Sequence, residues 1–185
     1  MSKNNQIHNR IRWMTRTGLL MALLVALQWG TAGTQAYAGQ YITGSCVNCV
    51  LAVAALFGGL WSGIAVAVLS PFCAFLLGIG PKVIQVVPCI ALGNAVFVLC
   101  LYFLMGRKIR PFWQQAGMLV ISAAAKFAVL YTAVVLVLIP IMGEALASKQ
   151  AQMLTVMFSW PQLVTALLGG TAALLVLPLV RKAVK

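Results

Sequence analysis

Residues 45–80 read SCVNCVLAVAALFGGLWSGIAVAVLSPFCAFLLGIG, an apolar stretch of about 36 positions without one charged side chain. A helix crosses the bilayer core in about 20 residues, so this stretch is too long for one crossing and suits two short ones. Its middle, Gly58-Gly59-Leu60-Trp61-Ser62-Gly63, supplies a tight turn between them. Two spans are therefore expected, near 45–58 and 61–78.

The same reading continues in both directions. A first span is expected over 13–30, followed by a loop, Gly39-Gln40-Tyr41-Ile42-Thr43-Gly44. A fourth covers 82–105 and runs past Pro88 into a basic cluster. Pro111 opens the next segment, with a fifth span over 118–142. A polar link, 143–152, leads to a sixth over 160–180. The expected fold is an all-α integral membrane protein, a compact bundle of about six transmembrane helices forming a single domain over 1–185.

Composition and charge agree with that class. The chain is 63% hydrophobic and only 8% charged, which excludes an ordinary soluble domain. Of thirteen Lys and Arg, ten fall into three clusters: Lys3, Arg10, Arg12 and Arg16; Arg107, Lys108 and Arg110; and Arg181, Lys182 and Lys185. Basic clusters stay cytoplasmic, so an even number of crossings must separate each from the next. Six spans meet that condition. They place both termini in the cytoplasm, with 1–12 as a basic tail, in a multi-pass protein of the cell membrane. Lys82, Lys149 and the lone acid, Glu144, then fall on the outer side.

The net charge of +12 would suggest nucleic acid in a soluble protein. Here the basic residues set topology at the ends of spans, and no nucleic-acid partner is expected. Ala36-Tyr37-Ala38 resembles a signal-peptide cleavage site. Removing the first span would leave an odd number of crossings, so that helix is read as retained.

Enzymatic classes find little support. With no aspartate and one histidine, His8, in the N-terminal tail, a Ser/His/Asp set is impossible, and zinc is not expected where carboxylates are missing. No metal and no cofactor are expected. No GxxxxGK[ST] loop is present, so the chain cannot energise transport by itself. Cys46-Val47-Asn48-Cys49 could serve a membrane thiol oxidoreductase. Such an enzyme needs a second pair to pass electrons onward, and Cys73, Cys89 and Cys100 lie unpaired within spans. All five read more simply as small apolar fillers.

Polar residues at membrane depth carry the binding hypothesis. Lys126 falls inside span five, where a charge costs about 2.5–3.5 kcal/mol, and no intramembrane carboxylate can pair with it. Either it snorkels or faces carbonyls, or it meets an anionic or carbonyl-bearing ligand. Asn48, Asn94 and Gln162 are polar within or beside spans, and each alone suits a helix–helix hydrogen bond. With Gln40, Tyr41, Lys82 and Trp160 they populate the outer half of the bundle, as a small polar ligand would need. On span one, Gly18, Ala22 and Ala26 repeat every four residues and would let another helix approach closely, inside or outside the bundle.

Taken together, these features resemble the substrate-binding S-components of energy-coupling factor (ECF) vitamin transporters. The resemblance rests on about six short spans, the Ala22-x-x-x-Ala26 stripe, and the loop leading into Thr43-Gly44-Ser45-Cys46-Val47-Asn48. It rests also on Pro88 with Gly93-Asn94, and on Pro161-Gln162-Leu163-Val164-Thr165-Ala166-Leu167-Leu168-Gly169-Gly170. It covers nearly the whole chain, although each motif is short. The Cys-x-x-Cys pair is not a hallmark of that family.

The resemblance implies a binding subunit rather than an enzyme, which captures a vitamin or related micronutrient near the outer face. It implies docking, through Ala22 and Ala26, on a transmembrane T-component coupled to two ATPase subunits. With lysines and amides but no carboxylate in the spans, an anionic or neutral ligand is expected over a cationic one. Tyr41, Trp29 or Trp160 could stack on a ring. Pantothenate, folate, a pyrimidine, a flavin and a corrinoid precursor all fit. A solitary facilitator is the remaining alternative.

Overall fold

The computed structural model describes residues 3–32, 37–106 and 111–183, and every long element among them is helical. Helix α1 spans Lys3–Ala32, and α2 spans Tyr37–Val53 and runs on through a π-turn, Ala54–Gly58. The chain reverses at Gly59, whose φ of 95° is open to glycine and strained for other residues. Helix α3, Leu60–Leu76, leads by an irregular link to α4, Val86–Met105. Helix α5, Phe112–Leu130, continues through a π-helical stretch, Tyr131–Leu138, into the single turn α6, Ile139–Met142. Helix α7, Ser148–Met157, precedes the long α8, Trp160–Ala183.

Four helical stretches are long and apolar enough to cross a membrane: Gly39–Gly58, Val86–Met105, Phe112–Met142 and Ser148–Lys182. Helix α3 is apolar but only 17 residues long. Helix α1 has the length, but Arg10, Arg12 and Arg16 interrupt its first half. Large apolar side chains face outward on the long helices, among them Leu19, Leu69, Phe103, Ile121, Leu136 and Leu175. Such an apolar exterior would be a liability in water and is what lipid contact requires.

Helix directions follow from their contacts. Arg16 lies over the Phe57 ring at one end of the α1–α2 pair, and Thr31 meets Thr43 at the other, so the two run antiparallel. Helices α2 and α8 run parallel, with Asn48 beside Thr165 and Leu56 beside Arg181. The N-terminal and C-terminal basic clusters thereby meet at one end of the bundle, where Arg16 and Arg181 converge on Phe57 and the Leu56 carbonyl. The mid-chain cluster Arg107, Lys108 and Arg110 lies outside the described residues, as does Lys185.

Several expected boundaries need correction. Residues 39–44 lie in the first turns of α2 instead of a loop, and Gly44 packs against the Thr165 side chain instead of reversing the chain. The basic segment 1–12 is helical from Lys3 onward as part of α1, and the polar link 143–152 gives way to α7 at Ser148. Span four begins at Val86, which leaves Lys82 in the irregular link.

Buried apolar side chains form two clusters. The larger, with Leu24, Leu51, Leu56, Phe97, Leu101, Met105, Leu119 and Leu177, occupies the basic end and the middle of the bundle. The smaller, with Val86, Leu130, Val134, Leu146, Leu154 and Phe158, occupies the opposite end. Along α5, Ala123 belongs to the first and Leu130 to the second, with Lys126 between them.

Candidate functional site

The seam between the two apolar clusters is polar. Lys126 of α5 is 3% exposed, and Asn48 of α2, Asn94 of α4 and Thr165 of α8 are equally shut away from the surface. Lys126 Nζ donates to Asn48 Oδ1 at 2.6 Å and to Asn94 Oδ1 at 2.7 Å. It also lies 5.4 Å from the centre of the Phe97 ring, within cation–π range. Two amide oxygens and a ring face therefore take the place of a carboxylate, which the spans do not contain.

Magnitudes indicate that this arrangement suffices. A lysine near mid-membrane costs about 2.5–3.5 kcal/mol on insertion scales. Hydrogen bonds to a charged group return about 1.5–3 kcal/mol each, so two of them offset the burial.

From this centre a directed path of hydrogen bonds runs toward the end opposite Arg16 and Arg181. Asn48 Nδ2 donates to Thr165 Oγ1 at 3.3 Å, and Thr165 Oγ1 donates to the Gln162 carbonyl at 3.2 Å. Gln162 Nε2 donates to the Met157 carbonyl at 3.2 Å, and Gln40 Nε2 reaches the same oxygen at 2.9 Å. Gln40, Asn48, Asn94, Lys126 and Gln162 thus belong to one network that joins α2, α4, α5, α7 and α8.

The packing that places these groups depends on small residues. A Cβ added at Gly169 would fall 2.8 Å from Asn48 Cβ and 2.8 Å from the Cys49 nitrogen, so α2 and α8 touch backbone to backbone. That contact sets Asn48 opposite Thr165. Gly93 likewise accepts Leu130 where a Cβ would meet its Cδ2 at 2.8 Å, which brings α4 close enough for Asn94 to reach Lys126.

The remaining candidates lie at the margin or apart. Trp160 is 70% exposed but stacks on Phe127, centres 6.2 Å apart, and the Tyr131 ring lies tilted against Phe127 at 5.8 Å. Tyr41 and Lys82 are both exposed, and no hydrogen bond or ring contact joins either to the network among the described residues. Trp29 is exposed near the end of α1. Gly18, Ala22 and Ala26 are all exposed, so their stripe points out of the bundle instead of into it.

Thr165 and Phe127 were not singled out from the sequence. Thr165 follows Gln162 by three residues, the helical spacing that would have flagged it, and Phe127 is visible only through its stacking on Trp160. Two further polar atoms in this half, Gln28 Oε1 and Ser45 Oγ, are buried without a hydrogen-bond partner among the described residues. All five cysteines are free thiols, Cys46 and Cys49 both half-buried on α2.

A protein-family model described as "ECF transporter, substrate-specific component" matches residues 12–181. No curated protein and no solved structure matches the chain.

Proposed function

This chain belongs to the family of ECF transporter substrate-specific components, and from that premise we propose that it captures a vitamin or related micronutrient at the outer face for uptake. The observation that supports this most is the polar seam itself. Lys126, Asn48 and Asn94 form a convergent set of donors and acceptors within an apolar bundle, continued outward by Thr165, Gln162 and Gln40. Pockets for small polar ligands have this composition: mostly apolar walls with a few aligned polar groups.

In this reading a ligand oxygen replaces one asparagine at the Lys126 ammonium, and the released amide turns to the ligand's own donor or acceptor. Gln40, Tyr41, Gln162 and Lys82 are its outer contacts, and Trp160 with Phe127 offers an aromatic wall. The spans contain no acid, so an anionic or neutral ligand is bound in preference to a cationic one. The six helices α1, α2, α3, α4, α5 with α6, and α8 each cross the cell membrane in one domain, with both termini in the cytoplasm. The shared position of Arg16 and Arg181 supports that orientation.

The family implies association with a transmembrane T-component and ATPase subunits, which answers the missing nucleotide-binding loop. The outward stripe Gly18, Ala22 and Ala26 is the docking surface, since small residues let a partner helix approach closely. A second reading has one observation in its favour. Both asparagine oxygens already satisfy Lys126, so the seam would also serve as a tie among four helices without a ligand.

Co-expression of the tagged chain with a T-component and its ATPases, followed by mass spectrometry of co-eluting small molecules, separates these readings. A stable complex carrying a vitamin-like anion or neutral compound is the expected result. A chain that purifies alone and ligand-free, with Cys46 and Cys49 oxidised, would favour thiol chemistry instead. Transport by the isolated chain in vesicles without ATP would favour a solitary facilitator.

A further inference from the structure

At the basic end, far from the polar seam, α1 and α3 leave a groove of about 550 Å³ lined by Arg10, Trp13, Met14, Trp61, Ile64 and Ala65. Its walls are apolar and open: Trp61 is 74% exposed and Met14 62%. Two tryptophans flanking one groove beside an arginine cluster mark the level where hydrocarbon meets headgroups. Arg10 sits one turn beyond Trp13 and Met14 on α1, on the headgroup side of that level.

Charge decides what fits there. Thirteen Lys and Arg face a single side-chain carboxylate in the whole chain, that of Glu144. Its backbone lies between α6 and α7, beside the smaller apolar cluster. No side chain of this protein can therefore neutralise Arg10. Two other arginines at this end meet groups without a formal charge: Arg16 the Phe57 ring at 4.9 Å, and Arg181 the Leu56 carbonyl at 3.3 Å. Arg10 is thus a cation without a side-chain counter-charge beside an apolar trough.

We propose that this α1–α3 groove binds an anionic phospholipid, its phosphate at Arg10 and one acyl chain along Trp13, Met14, Trp61 and Ile64. The same helix, α1, carries Gly18, Ala22 and Ala26 two to four turns further on. A lipid held here therefore borders the outward stripe and fixes the depth of α1 in the bilayer.

Tryptophan quenching by brominated lipids reads the site directly. The full chain with Trp29→Phe, Trp113→Phe and Trp160→Phe keeps Trp13 and Trp61 as its indoles. It is reconstituted into phosphatidylcholine vesicles containing either dibrominated phosphatidylglycerol or dibrominated phosphatidylcholine. Half-quenching should need roughly fivefold less of the anionic lipid, the preference expected of one arginine near a charged headgroup. Arg10→Gln should erase that preference and Arg10→Lys should keep it.

Native mass spectrometry of the unsubstituted chain provides a second measurement that does not depend on the tryptophan variants. A phosphatidylglycerol adduct should survive where a phosphatidylcholine adduct is lost. Coincident quenching curves, or a preference that survives Arg10→Gln, would overturn the proposal. So would quenching by both lipids that vanishes on assembly with the T-component, since a protein would then occupy the groove.

Discussion

Lys126 Nζ and Asn94 Oδ1 lie 2.7 Å apart and join α5 to α4 at the depth where the two apolar clusters of the bundle meet. Asn48 completes the arrangement from α2 at 2.6 Å. A cation in the middle of the bundle is thus held by neutral amides.

If these side chains are coupled as the geometry requires, their substitutions should not add. Asn94→Leu removes one acceptor from a buried ammonium, and Lys126→Met leaves two amide oxygens unpaired; each should cost about 1–3 kcal/mol. The double variant should cost less than the sum, by about 0.6 kcal/mol or more, the typical size of such couplings within membranes. Thermal unfolding of the four proteins in detergent measures the cycle. Additive losses would mean that the two side chains do not meet.

Gly169→Ala should be among the most damaging single-methyl changes in the chain. The new Cβ would fall 2.8 Å from the Cys49 nitrogen, which is backbone and cannot turn aside. Forcing α2 from α8 should cost about 1–3 kcal/mol and draw Asn48 away from Thr165. Gly18→Ala is the control, because nothing lies within 4 Å of its Cβ position. Melting temperatures should fall for the first variant and stay level or rise for the second, since alanine is the better helix former by about 0.5–1 kcal/mol.

Ala22→Leu with Ala26→Leu should leave the isolated chain within about 0.5 kcal/mol of its parent, as is usual for exposed positions. Ligand capture should persist, while co-purification with the T-component and ATPases should be lost. Loss of stability in the isolated chain would place the stripe inside the bundle after all.

Much of this arrangement was legible in the sequence because polarity is costly within apolar spans. Lys126, Asn48 and Asn94 stood out for that reason, and the structure gathers all three. Gln40 and Gln162 were grouped with them on position alone, and they meet at the Met157 carbonyl. Thr165 did not stand out, since a hydroxyl on a membrane helix can satisfy itself on its own backbone. Residues 39–44 read as a loop because glycine signals a turn and a close helix contact with the same letter. Gly44 serves the contact, against the Thr165 side chain. Tyr41 and Lys82 carried no sequence signal of their exposure in the structure.

Replacing Cys46 and Cys49 together by alanine should leave ATP-dependent uptake by the assembled transporter largely intact. Both are free thiols, and alanine retains most of the packing of a half-buried cysteine. Complete loss of activity with the protein still folded would restore the thiol-redox alternative.

Lys126→Met is the most direct test of the central claim that the polar seam binds the transported molecule. The parent and the variant would be purified with their partners, and the small molecules released from each would be quantified by mass spectrometry. The account expects a near-stoichiometric anionic or neutral ligand on the parent. It expects at least a tenfold loss from a variant that still melts cooperatively and still holds its partners, the size of about 1.4 kcal/mol of lost binding. Undiminished ligand on that variant would contradict the account and leave Lys126 as a structural tie among α2, α4 and α5.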